Sequence, residues 1–142
     1  MLISSSRLSK GFNINFLFNA NFIELNSHLI KSFFYISSAG FGNVDSNRPE
    51  LLEHFGITIL EASLRGCIPI VYSQGGPAKI IDSLGYGYKF STLGELEDII
   101  NLLNSKNRSE LIELSRKTIE SSRLFINQQI NNNKSAIKNF FV

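Results

Sequence analysis

The 142-residue sequence predicts an α/β domain built on a parallel sheet. Three observations lead there. Short apolar runs of strand-forming residues recur along the chain. Stretches with helical apolar spacing lie between them. Most of these helical stretches open on a capping residue or a glycine turn. Parallel neighbours need crossovers, and those crossovers are expected to be right-handed.

The elements follow in order. Residues 1–12 are polar and irregular. Asn13-Ile14-Asn15-Phe16-Leu17-Phe18 alternates and predicts a short strand. Asn21 with Glu24 three residues later predicts a helix start, and Ile23, Leu25, Leu29 and Ile30 support that helix. Phe33-Phe34-Tyr35-Ile36 predicts a strand covered on both faces. A loop rich in Gly, Asn, Asp and Ser follows, from Ser37 to Pro49; loops this long are often functional. Glu50 to Glu53 can form a turn of helix.

A helix from about Gly56 to Arg65 should stop at Gly66. Its expected apolar stripe is Ile57, Leu60 and Leu64, with Glu61 inside the stripe. Ile68-Pro69-Ile70-Val71-Tyr72 predicts a second buried strand. Gly75-Gly76-Pro77 predicts a turn into a short helix, with Pro77 near its first position. Tyr88-Lys89-Phe90 predicts a small strand. Thr92 with Glu95, and Asn107 with Glu110, are helix-opening pairs. The Leu/Ile stripes at 96–103 and 111–114 are expected to be core. A last helical stretch of weaker periodicity runs towards Phe140. The expected organisation is an irregular segment over 1–12, a partial domain over 13–122 and a helical tail over 123–142.

Bulk properties narrow the partners. A chain this long buries roughly two thirds of its unfolded surface, enough for a real core. A net charge of +2 gives no argument for nucleic acid as a partner. The single cysteine, Cys67, rules out an internal disulfide and fits a reducing compartment. Cys67 begins a buried strand and is expected to be core rather than a nucleophile. His28 is expected on a helix surface, and His54 in a structural or supporting role. The first residues lack the pattern of a signal peptide. No apolar run reaches the length of a membrane helix. A cytoplasmic protein is expected, with peripheral membrane contact left open.

The chemistry should gather where strands end. In open α/β sheets, ligands bind outside the carboxyl ends of the strands. Three segments lie at such ends: Ser37 to Pro49, the approach to Phe55-Gly56, and Ser73-Gln74-Gly75-Gly76. Two of them lead into helix N-termini, whose free N–H groups and dipole favour phosphate. Gly56, Gly75 and Gly76 allow an anion close to the backbone. A buried carboxylate at Glu61 needs a donor or a polar cavity, and ribose hydroxyls are good donors. Glu53 can project into the same crevice. For both acids the alternative is a solvent-facing or ion-paired role.

Glu53 and Glu61, with seven residues between them, resemble the E-x7-E motif of the glycosyltransferase family 4 type. The words around them agree: Glu-His-Phe-Gly-Ile at 53–57, Glu61-Ala62, Gly66-Cys67-Ile68-Pro69-Ile70-Val71, Gly75-Gly76 and Ile80-Ile81. The resemblance covers about residues 33–105. It implies the distal part of the C-terminal, incomplete Rossmann-like domain of a GT-B enzyme. Such an enzyme transfers a sugar from a nucleotide-diphosphate sugar with retention, as a hexosyltransferase, with no cofactor and no metal. By the resemblance, Glu53 is the catalytic-site acid touching the donor sugar. The N–H groups of Phe55, Gly56 and Ile57 would hold the sugar and distal phosphate. Glu61 would bind the ribose, and Gly75 and Gly76 would allow close approach. Aligned N–H groups would stabilise the leaving diphosphate.

The chain departs from the pattern in places. Lys79 stands where relatives carry Glu after Gly-Gly, and reads either as an extra phosphate contact or as a surface lysine. Ser37 stands where some relatives carry His. Arg7-Leu8-Ser9-Lys10-Gly11 echoes the family's phosphate-neutralising Arg and Lys at a shorter spacing. The expectation is therefore a donor-binding part that needs an acceptor domain, a partner subunit or a second copy. The alternatives are a binding module without turnover and a truncated remnant that still folds. The C-terminal helix is expected to pack on the domain or to offer a face for self-association.

Overall fold

The computed structural model describes residues 21–42 and 56–140. The expected strand at 13–18, the turn at 50–53, Arg7, Lys10, Glu53, His54 and Phe55 lie outside them. The described residues form a three-stranded parallel sheet flanked by helices. Their order is α1 (Phe22–Leu29), β1 (Phe34–Ser37), α2 (Ile57–Leu64), β2 (Ile68–Tyr72), α3 (Gly75–Leu84), β3 (Tyr88–Phe90), α4 (Leu93–Asn104) and α5 (Arg108–Phe140).

The strands lie in chain order, with β2 central. Register pairs Tyr35 with Pro69 and Ser37 with Val71, then Val71 with Lys89 and Tyr72 with Phe90. Alternation along β2 therefore sends Val71 to one face and Ile70 and Tyr72 to the other. Val71 packs with Ile59 of α2 and Ile80, Ile81 and Leu84 of α3. Ile70 packs with Phe90 and with Leu103 of α4. Burial on both faces explains why β2 reads as an unbroken apolar run.

β1 differs from expectation. It is only partly buried, and Ile36 is 46% exposed. Among the described residues it has a strand neighbour on one side only, and α4 packs over β3 rather than over β1.

α2 is also rotated from its expected setting. Ile59, Ala62 and Ser63 are its buried residues, whereas Ile57 is 64% exposed. α2 is pressed between the sheet and α5, so small residues go where the two helices meet. Spacing of the large apolar residues cannot see that second contact. Gly66 follows α2 at φ 88°, and a Cβ there would run into Ser115 Oγ of α5. The backbone favours glycine there, and any Cβ would also have to turn the Ser115 hydroxyl aside.

α3 begins at Gly75, so both glycines belong to its first turn and Pro77 is the third helical residue. α5 is one helix from Arg108 to Phe140, without a break after its first turns. No glycine or proline interrupts that stretch. Near its start Leu114 packs with the Ile70 cluster, and further on Phe125 packs with the Val71 cluster. α5 thus passes from one layer to the other past the amino end of β2, where Gly66 meets Ser115 and Ile119. The expected core stripes are therefore partial. Leu103 is fully buried, Leu96, Ile99, Ile100, Leu111 and Leu114 are partly so, and Leu93 and Ile112 are exposed.

Candidate functional site

The carboxyl ends of β1 and β2 lead towards the starts of α2 and α3. Gly56 is the N-cap of α2, buried, with φ 57° and ψ 34°. Glycine adopts that left-handed setting without the strain it causes most side chains. A Cβ on Gly56 would lie 3.0 Å from Ile59 Cδ1, 3.2 Å from Ile80 Cδ1 and 3.4 Å from the Pro77 Cα. The start of α2 is therefore seated against the first turn of α3. Pro77 follows directly on Gly75 and Gly76 in that turn.

These two helix starts differ from the others. Asn21 caps α1 by accepting from the Glu24 N–H at 3.0 Å, and Thr92 caps α4 by accepting from the Glu95 N–H at 3.1 Å. Asn107 and Glu110 cap α5 reciprocally, at 3.0 and 2.9 Å. Gly56 and Gln74 offer no side-chain cap bond to α2 or α3. The first-turn N–H groups of α2 and α3 thus lack any capping acceptor from their own N-cap residues.

Ile57 opens α2 and is exposed, and Glu61 lies one turn further on. Glu61 is partly buried, and its carboxylate makes no hydrogen bond or ion pair among the described residues. Its main-chain carbonyl accepts from Arg65 Nη1 at 2.6 Å. Its expected place in a buried stripe is not observed, because that stripe runs through Ile59, Ala62 and Ser63 instead. Glu53 and Phe55 lie outside the described residues. Lys79 of α3 is exposed.

The sheet edge carries groups that sequence reasoning did not single out. Tyr35 of β1 donates from its hydroxyl to Thr58 Oγ1 of α2 at 3.1 Å, tying the strand to the helix start. Phe41 stacks edge-on against Tyr72 with centroids 5.4 Å apart, and lies 5.5 Å from the Phe90 ring. Tyr72 and Phe90 are the last residues of β2 and β3, so this aromatic cluster closes the carboxyl edge of the sheet. Ser73 and Ser91 Oγ atoms are 2.7 Å apart beside it. The one legible signal was that an aromatic residue ends each of these two strands.

At the opposite edge, Cys67 is fully buried beside β2. Its thiol donates to the Leu29 carbonyl at 3.2 Å and to that of Ser32 at 3.5 Å. Burial pushes the thiol pKa up, and the nearby Arg65 charge offsets this in part. Cys67 therefore has the packing role expected of it. His28 is exposed on α1, also as expected. Among the described residues, no helix is long and apolar enough to cross a membrane.

No protein-family model matches the chain, and neither the curated proteins nor the solved structures compared with it contain a match.

Proposed function

We propose that the carboxyl edge binds the nucleotide-diphosphate part of a sugar donor, as the donor-binding part of a retaining glycosyltransferase. One observation carries this reading. Two helix starts without side-chain caps abut at the sheet edge, and Glu61, whose carboxylate has no partner among the described residues, stands one turn along the first helix. The N–H groups around Gly56 and Ile57 suit a diphosphate. At the start of α3, Gly75 is partly exposed and carries no Cβ to hold an anion off the backbone, while Gly76 is buried. Glu61 suits paired hydroxyls such as those of ribose. The motif series from Glu53 to Ile81 supports the choice of a sugar nucleotide over other diphosphates. On this reading Glu53 meets the donor sugar, and Phe55 adds a third backbone donor. Acceptor groups would come from a partner domain or chain.

Titration calorimetry of UDP, GDP and their sugars into the whole chain tests the reading. Wild type is expected to bind at least one of them saturably. Glu61→Ala should weaken that binding by roughly ten- to a hundredfold, the scale of hydrogen bonds to a charged group. No binding by wild type, or equal binding by the variant, would sink the reading. A labelled-sugar transfer assay then separates turnover from simple binding.

A further inference from the structure

A cavity of about 350 Å³ opens at the amino edge of the sheet, away from the crevice just described. Its walls come from the end of α1, the approach to β1, the end of α2 and the start of α5. Lys31, Arg65 and Arg108 line it, and no carboxylate does. We propose that this cleft binds a phosphate monoester.

Arg65 is the central feature. It is partly buried. Its Nε donates to Asn26 Oδ1, and its Nη1 donates to the Glu61 carbonyl at 2.6 Å. The Phe22 ring lies 5.5 Å from Cζ. These partners fix the guanidinium, yet none of them carries a negative charge. Nη2 has no protein acceptor among the described residues. A partly buried cation held only by neutral acceptors is costly, and two more cations around the same cleft raise that cost. An anion in the cleft removes it.

On α5, the acids Glu110, Glu113 and Glu120 are already engaged. Glu110 accepts from the Asn107 N–H at 2.9 Å and faces Lys106 at 3.9 Å. Glu113 and Glu120 hold Arg116. The last carbonyls of α1 are also taken. Asn26 O accepts from the Ile30 N–H, His28 O from Lys31 N–H and Ser32 Oγ, and Leu29 O from Ser32 N–H and the Cys67 thiol. Lys31 and Arg108 are exposed and make no ion pair among the described residues. The guanidinium of Arg65, with the exposed charges of Lys31 and Arg108 beside it, suits the oxygens of a dianionic phosphate. Ser115 and Phe33 complete the lining with a hydroxyl and an apolar wall. The monoester can be a free metabolite or a lipid headgroup.

The test uses the whole chain in phosphate-free buffer. Inorganic phosphate is titrated by calorimetry, and vesicles of phosphatidylcholine with and without phosphatidic acid are sedimented. Phosphate should bind saturably, and more weakly as salt rises. The double variant Lys31→Glu/Arg108→Glu should bind about tenfold or more weakly while keeping its circular dichroism spectrum. Binding of phosphate alone assigns a soluble source. Binding that appears only on phosphatidic acid vesicles, and is lost in the double variant, assigns a lipid source. Neither kind of binding, or equal binding by wild type and variant, would overturn the proposal. The double variant should keep its affinity for nucleoside diphosphate, and Glu61→Ala should keep phosphate binding. Failure at one edge is thereby distinguishable from failure at the other.

Discussion

Gly66 shows how much one residue can decide. Its φ of 88° disfavours any side chain, and its missing Cβ lets Ser115 of α5 approach. Gly66→Ala should therefore lower stability by about 2 kcal/mol, from backbone strain together with the contact. Adding Ser115→Ala relieves the contact and leaves the strain, so urea unfolding should show partial recovery. Full recovery would mean that the backbone strain counts for nothing. The position was legible as a helix stop, but the approach of α5 was not, because Ser115 lies far along the chain. Glu61 is the converse case. Its spacing from Glu53 is plain in the sequence, while its neighbours depend on how α2 is turned. Ser63 is a further example: it is fully buried on α2, its hydroxyl has no partner among the described residues, and nothing in its local sequence announces that.

Elements were legible where local chemistry defines them. Asn21, Thr92 and Asn107 each cap the helix expected of them, since a cap and its partner lie within three residues. β2 and β3 also fall on their predicted residues, Ile68–Tyr72 and Tyr88–Phe90. The cap of α5 matters for the whole helix. Asn107→Ala removes one bond to the Glu110 N–H and should cost about 1 kcal/mol, read from the shift of the thermal midpoint. Glu110→Gln keeps the reciprocal geometry and should cost less. Equal losses in both would indicate that charge, not geometry, stabilises this end. The rotation of α2 was not legible, because two packing partners select its buried face. The length of α5 was understated for a related reason: its weak periodicity hides a helix that changes layers partway along.

At the scale of the molecule, the sheet separates two clusters, one around Val71 and one around Ile70. Ile59 belongs to the first and Ile70 to the second, and both are fully buried. Ile59→Val and Ile70→Val should each cost about 0.5–1.5 kcal/mol. Lying on opposite sides of the sheet, they should add to within about 0.5 kcal/mol in urea unfolding. A larger coupling would show that the layers respond as one core. The same two-layer plan sets the two edges apart. The carboxyl edge gathers the uncapped helix starts, and the amino edge gathers Lys31, Arg65 and Arg108.

The sequence by itself determined the α/β class, the buried strand Ile68–Tyr72, the helix caps, the buried Cys67 and the pairing of glycines with helix starts. Each follows from short-range spacing, which folding cannot rearrange. Only the tertiary structure decided that Gly56 sits against Pro77, that Ile57 faces outward, and that α5 closes on Gly66. Only it placed three cations from separate elements around one cleft. Those outcomes depend on which helices share a face, and that choice is made by packing between residues distant in the chain.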